Sequence, residues 1–109
     1  MATFFRNKVV KNVGTVPITI TTMTPTQRST VIGMSLTNLT DGFVYADVLV
    51  RDDTSVEGYY AKQVPIAAGT SLRLVNQGEK LILAPENSIS VVASVDDSLD
   101  VILSYVEVV

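Results

Sequence analysis

At 109 residues the chain has the size of one domain, and a domain of that length buries roughly two thirds of the surface its unfolded chain exposes. A hydrophobic share of 47% with only 17% charged residues excludes a disordered tail, and a formal charge of −3 argues against general nucleic-acid binding, which needs a clustered basic face. With neither cysteine nor histidine, the chain excludes disulfides, thiol nucleophiles, Ser-His-Asp triads and zinc sites built on thiolate or imidazole.

Met1 to Arg6 lacks the basic leader and long apolar core of a signal peptide, and no apolar run approaches the roughly 18 residues of a membrane helix. The expectation is a soluble protein made in a cytoplasm. Phe4 to Val13 is extended-compatible and reads as an N-terminal arm becoming a strand, over residues 1–14, ahead of a single β domain at 15–109. Phe4 and Phe5 either close the end of the domain's own core or dock on a neighbouring subunit. Arg6, Lys8, Lys11 and Arg28 leave residues 1–28 with four cations and no acid, whereas all eleven acids fall in the remainder. A basic first segment on an acidic body predicts that it meets an acidic surface, its own or a neighbour's, or else lies solvated.

Val16, Ile18 and Ile20 alternate with Pro17, Thr19 and Thr21, so a strand starts at Pro17 or lies at a sheet edge. Residues 24–28 read as a loop. From Val31 to Arg51, period two on both sides of Thr40-Asp41-Gly42 predicts an antiparallel hairpin at the middle of a two-sheet sandwich. Ile32, Met34, Leu36, Ala46, Val48 and Val50 would face inward, with Ser35, Thr37, Phe43, Tyr45 and Asp47 outward. Residues 52–58 form a polar connection, 59–64 a strand ended by Pro65, and 67–69 a turn before the strand at 70–75. Turns at 76–78 and 85–87 bracket a strand in which Leu81 and Leu83 share a face, and Ile89, Val91 and Ala93 share one in the next. The closing run, Val101 to Val109, is apolar on both faces for much of its length, which places it centrally in a sheet or at a subunit interface.

Eight or nine short strands without sustained helical spacing predict an all-β, antiparallel sandwich or jelly-roll-like fold. Carboxylates cluster at Asp52-Asp53 and at Asp96, Asp97 and Asp100, but the latter have neither the spacing nor the glycine of a calcium loop, and turn-forming Asp explains them. Paired acids of a glycosidase would ordinarily come with aromatic platforms, and the chain has no Trp. No catalytic, cofactor-binding or metal-binding residue is assigned, and no cofactor is expected. Phe43, Tyr45, Tyr59 and Tyr60 form a candidate exposed aromatic patch for a sugar or a protein, or else fill the second side of the sandwich. Phe4, Phe5, Arg6, Lys8, Lys11, Tyr105, Val106, Val108 and Val109 are the candidate subunit-interface residues.

The segments 33–40, 46–48, 65–74, 79–83 and 100–107 resemble small β-sandwich virion proteins of tailed bacteriophages, of the kind found in phages of cyanobacteria. The resemblance implies a non-enzymatic structural role, most readily a capsid cement or decoration protein, with a neck, tail or baseplate component as the alternative. It implies other virion proteins as partners, the major capsid protein or neck and tail proteins. It further implies a homo-oligomer, a trimer for preference, assembled in the host cytoplasm and carried in the virion. A carbohydrate- or host-receptor-binding module is the alternative from a different class.

Overall fold

The computed structural model describes residues 3–22, 28–75 and 81–108. Nine strands follow in order: β1 (Thr3–Val13), β2 (Ile18–Thr22), β3 (Arg28–Asn38), β4 (Val44–Arg51), β5 (Glu57–Ile66), β6 (Ser71–Val75), β7 (Leu81–Leu83), β8 (Ser88–Ala93) and β9 (Leu99–Val108). All pair antiparallel, in two sheets packed as a sandwich. One runs β1-β9-β3-β6, with β7 also pairing β3, and the other runs β2-β8-β4-β5. The expected turn at 76–78 lies outside the described residues.

The core forms where alternation in the sequence gives each strand one apolar face. Val44, Ala46 and Val48 of β4, Ile89, Val91 and Ala93 of β8, and Leu99, Val101 and Leu103 of β9 are all buried. Each valine, leucine or isoleucine among them, fully withdrawn from water, contributes about 1.5–3 kcal/mol. The sixteen buried apolar residues begin at Val13, so among the described residues β1 contributes only its last position to this set. β9 lies between β1 and β3, the central place that its two-faced apolar sequence predicts.

The predicted hairpin is overturned. β3 and β4 do not pair; they sit in opposite sheets, and residues 39–43 arch across the sandwich. A two-residue type I′ turn needs positive φ at its central residues, and among the described glycines only Gly69 has it. The arch is held instead by Asn38, which is 1% exposed. Its Nδ2 donates to the Gly42 and Ile66 carbonyls and its Oδ1 accepts from Thr40 N and Oγ1, all at 2.8 Å.

Two smaller corrections share one cause, an irregular ladder. Against β9, β3 shifts register between Val31 and Gly33, so Ile32 turns outward and Val31 takes the inward place. Pro65 does not end a strand: it pairs with Tyr45 inside β5, which tolerates a missing N–H because β5 is an edge.

Candidate interaction surface

The two ends of the sequence meet on one ladder. Thr3 pairs with Val108, Phe4 with Glu107, Phe5 with Val106, Arg6 with Tyr105 and Lys8 with Leu103. The sequence-predicted interface residues of β1 and β9 are thereby brought together, though not all on one face. Tyr105 packs against the core, Val106 shares the opposite face with Phe5, and Val109 lies outside the described residues. Lys11 is exposed beside the Asn12 bulge, where Asn12 N donates to Asp100 Oδ1 at 3.0 Å.

The acidic surface expected for the first segment is partly the chain's own. Arg6 Nε lies 3.4 Å from Glu107 Oε1, and the same guanidinium sits 5.2 Å over the Phe4 ring. Glu107 is buried next to buried Ser29, its ladder partner on β3. Lys8, Lys11 and Arg28 make no ion pair among the described residues.

The outward face of the five-stranded sheet is apolar in a way the sequence reading missed. Register aligns Phe5, Val106, Thr30 and Ile82 in a row across β1, β9, β3 and β7. Phe5 is 79% exposed and Ile82 69%. A second row runs Val9, Ile102, Ser35, Arg73. Between the rows, Gly33 and Ser104 help line a hollow of about 290 Å³, with Ile32 and Ile102 beside them. The signal available in the sequence was Leu81-Ile82-Leu83, apolar at both parities and therefore apolar on the outer face as well.

The four predicted aromatics are exposed, but they do not form one patch. Tyr45 pairs with Pro65 and Leu49 with Tyr59, so Tyr45 lies about 13 Å along β4 from the Tyr59 row and Phe43 farther still. Lys62 Nζ covers the Tyr59 ring at 5.1 Å.

The acidic clusters organise loops. Asp52 Oδ1 accepts from Thr54 N, Thr54 Oγ1 and Val56 N at 2.7–3.0 Å. The Thr54 hydroxyl, followed by the Val56 and Thr54 amides, holds its carboxyl below the ordinary aspartate range. Asp96 is lowered likewise, first by the Thr15 hydroxyl at 2.7 Å and then by the Thr15 amide at 3.1 Å. A Cβ at Gly14 would stand 3.0 Å from the same Asp96 oxygen, which is why this corner needs glycine.

No protein-family model and no curated protein matches the chain. Solved structures do, at the level of fold. A chain of the T13 particle of infectious bursal disease virus superposes with TM-score 0.58 at 10% identity, over 96% of this chain and 30% of that one. The VP2 protein in T=1 particles of the same virus gives TM-score 0.55 at 12% identity, over 94% and 31%. A subunit of Bacillus endospore appendages, described as disulfide-linked pili, gives TM-score 0.55 at 7% identity, over 96% and 86%. The chain thus spans less than a third of these two viral chains and most of the pilus subunit. At such identities the likeness establishes the fold, a β-sandwich of the kind found in viral particle proteins.

Proposed function

We propose that the chain is a non-enzymatic structural protein of a virion, working by contact with other particle subunits. The observation that carries this reading is the row of exposed apolar side chains across the outer face of the five-stranded sheet, from Phe5 to Ile82, continuous with the exposed edge strand β1. An apolar sheet face open to water marks a surface that is covered in the working state. The sandwiches it superposes on belong to proteins that assemble, viral particles in two cases and pili in the third, which supports the same reading.

Within that class the role is capsid cement or decoration in a tailed phage, as a trimer bound to the major capsid protein. A neck, tail or baseplate component is the alternative. The separation of Phe43 and Tyr45 from Tyr59 and Tyr60 favours assembly over a sugar-binding groove, which would gather them. Light scattering of the chain alone and with the particle's major capsid protein tests the proposal. A defined complex is expected, and it is expected to weaken on Phe5→Ser or Ile82→Ser. Absence of any complex with head, neck or tail proteins, or micromolar glycan binding lost on Tyr59→Ala, would overturn it.

A further inference from the structure

One end of the sandwich gathers the loops 14–17, 39–43, 67–70 and 94–98. Backbone hydrogen bonds of 2.8–2.9 Å tie them into one block: Ala93 N to Gly14 O, Leu39 N to Ser98 O, Asn38 N to Thr70 O and Ser94 N to Tyr45 O. From this block Val16, Leu39, Phe43, Tyr45 and Val95 emerge 43–72% exposed. The four loops carry three carboxylates, Asp41, Asp96 and Asp97, and no Lys or Arg. The flank of the body made by β1 has the opposite character. Phe4, Phe5 and Val9 are exposed there among Arg6, Lys8 and Lys11, with Arg28 two strands away across the Thr3–Val108 pair and no acid on β1 itself.

Both surfaces are apolar enough to self-associate, and both are charged against doing so. Two loop ends facing each other would oppose carboxylates, and two β1 edges paired antiparallel would oppose cations. Only the unlike pairing satisfies both the apolar contact and the charge. We infer that the acidic loop end of one copy docks on the cationic β1 flank of a second copy. This rests on the assembly reading above and names the partner surface within it.

The dimensions agree. The body measures 46 × 27 × 22 Å, so its end presents about 600 Å², near the roughly 800 Å² per partner of a standard stable interface. β1, eleven residues and about 36 Å long, is long enough to receive it. The contact joins two different patches, so repeated copies close into a ring, the trimer being one such closure, or continue as a filament.

Two double variants of the full chain test the pairing. Asp41→Lys with Asp97→Lys reverses the loop end and spares Asp96, which holds Thr15. Lys8→Glu with Arg28→Glu reverses the flank and spares Arg6, which pairs with Glu107. In sedimentation velocity at low salt, wild type is expected to associate and each variant alone to lose about tenfold or more in association constant. A 1:1 mixture of the two is expected to recover it, because each now fits the other; unchanged circular-dichroism melts show that folding is not the cause. Monomeric wild type at about 100 µM, variants that associate like wild type, or a mixture that stays dissociated would each overturn the inference. Binding of the same proteins to the major capsid protein separates the two levels. Capsid binding without self-association removes this contact and leaves the virion role standing, whereas self-association without any virion partner does the reverse.

Discussion

β1 and β5 are the two long edge strands, eleven and ten residues, one on each sheet and both exposed for most of their length. Their edges are built differently. β5 breaks register with β4 twice, between Ala46 and Val48 and between Val48 and Leu49. At the first break Gln63 takes φ 50° and its N–H turns to Asp47 Oδ1 at 2.6 Å. Bulges of this kind twist an edge away and leave no straight row of backbone groups for a stranger to pair with. β1 keeps unbroken register with β9 from Thr3 to Val10 and bulges only beyond it, at Asn12 with φ 56°. One edge is interrupted by bulges and the other is straight, so the β1 side is the edge that the proposed assembly would use.

The largest effect should come from giving β1 the irregularity that β5 has. Inserting one alanine between Asn7 and Lys8 exchanges the faces of Phe4 and Phe5 and breaks the straight edge. The buried core begins at Val13, but the insertion also turns Arg6 away from Glu107, so the melting curve should fall only by the loss of that half-exposed pair, about 1 kcal/mol. Association measured by light scattering should nonetheless fall about tenfold or more, equivalent to about 1.4 kcal/mol. Retained association would mean that the edge and its apolar face play no part. The converse change comes next in size. Deleting Gln63 lets Lys62 stand opposite Asp47 and removes the first of the two bulges of β5, so a gain of concentration-dependent association at this second edge is expected and would show that bulges help to close it.

Much of this contrast was legible in the residues, and the reasons it was partial are physical. Alternation predicted the buried faces of β4 and β8, and the two-sided apolar run of β9 predicted a place central in a sheet or at a subunit interface, of which the sheet order gives it the first. Alternation says which face of a strand is inward, however, and not which sheet the strand joins. Val31 pairs with Tyr105 and Ser35 with Ile102, contacts 74 and 67 residues apart in sequence, so the Asp41-Gly42 signal was outweighed by distant pairing and by the side chain of Asn38. Bulges were also invisible, since Ile32 and Gln63 look like ordinary strand residues until a partner ladder exposes the extra position. The basic first strand was legible as charge. That Arg6 would pair with Glu107 while Lys8, Lys11 and Arg28 make no ion pair among the described residues required the register.

That division of labour among the cations is the next point to break. Arg6→Ala leaves Glu107 buried without its 3.4 Å partner, and because the arginine side chain is itself half exposed the cost should be about 1 kcal/mol. A urea midpoint unchanged from wild type would show the pair to be neutral. Lys8→Ala, with no ion-pair partner among the described residues, should leave the midpoint in place while weakening association, so the two substitutions separate the stabilising cation from the docking one.

The smallest expected effect concerns two loop carboxylates, Asp52 and Asp96, the second in a loop tied to the last residue of β1 by the Ser98 N to Val13 O hydrogen bond of 3.0 Å. Asp52 and Asp96 both have folded carboxyl pKa values below the ordinary 3.8, held there by hydroxyl and amide donors. A carboxylate depressed in the folded state stabilises it at pH above the unfolded value and loses that contribution as pH falls through the folded value. The melting temperature should therefore be level above about pH 5 and decline from near 3.8 downward. Both groups are solvent-exposed, so the slope should be shallow. Asp96→Asn should flatten it and loosen the Thr15 corner, and Asp52→Asn should flatten it separately at the opposite end of the body. β1 carries no carboxylate, so the alanine insertion at Asn7 should leave the slope as it is in wild type. A steeper decline in that variant would mean that a change at Asn7 is carried along β1 to the Val13–Ser98 contact, and that the straight edge is coupled to the acid-sensitive loop more closely than its ladder with β9 implies.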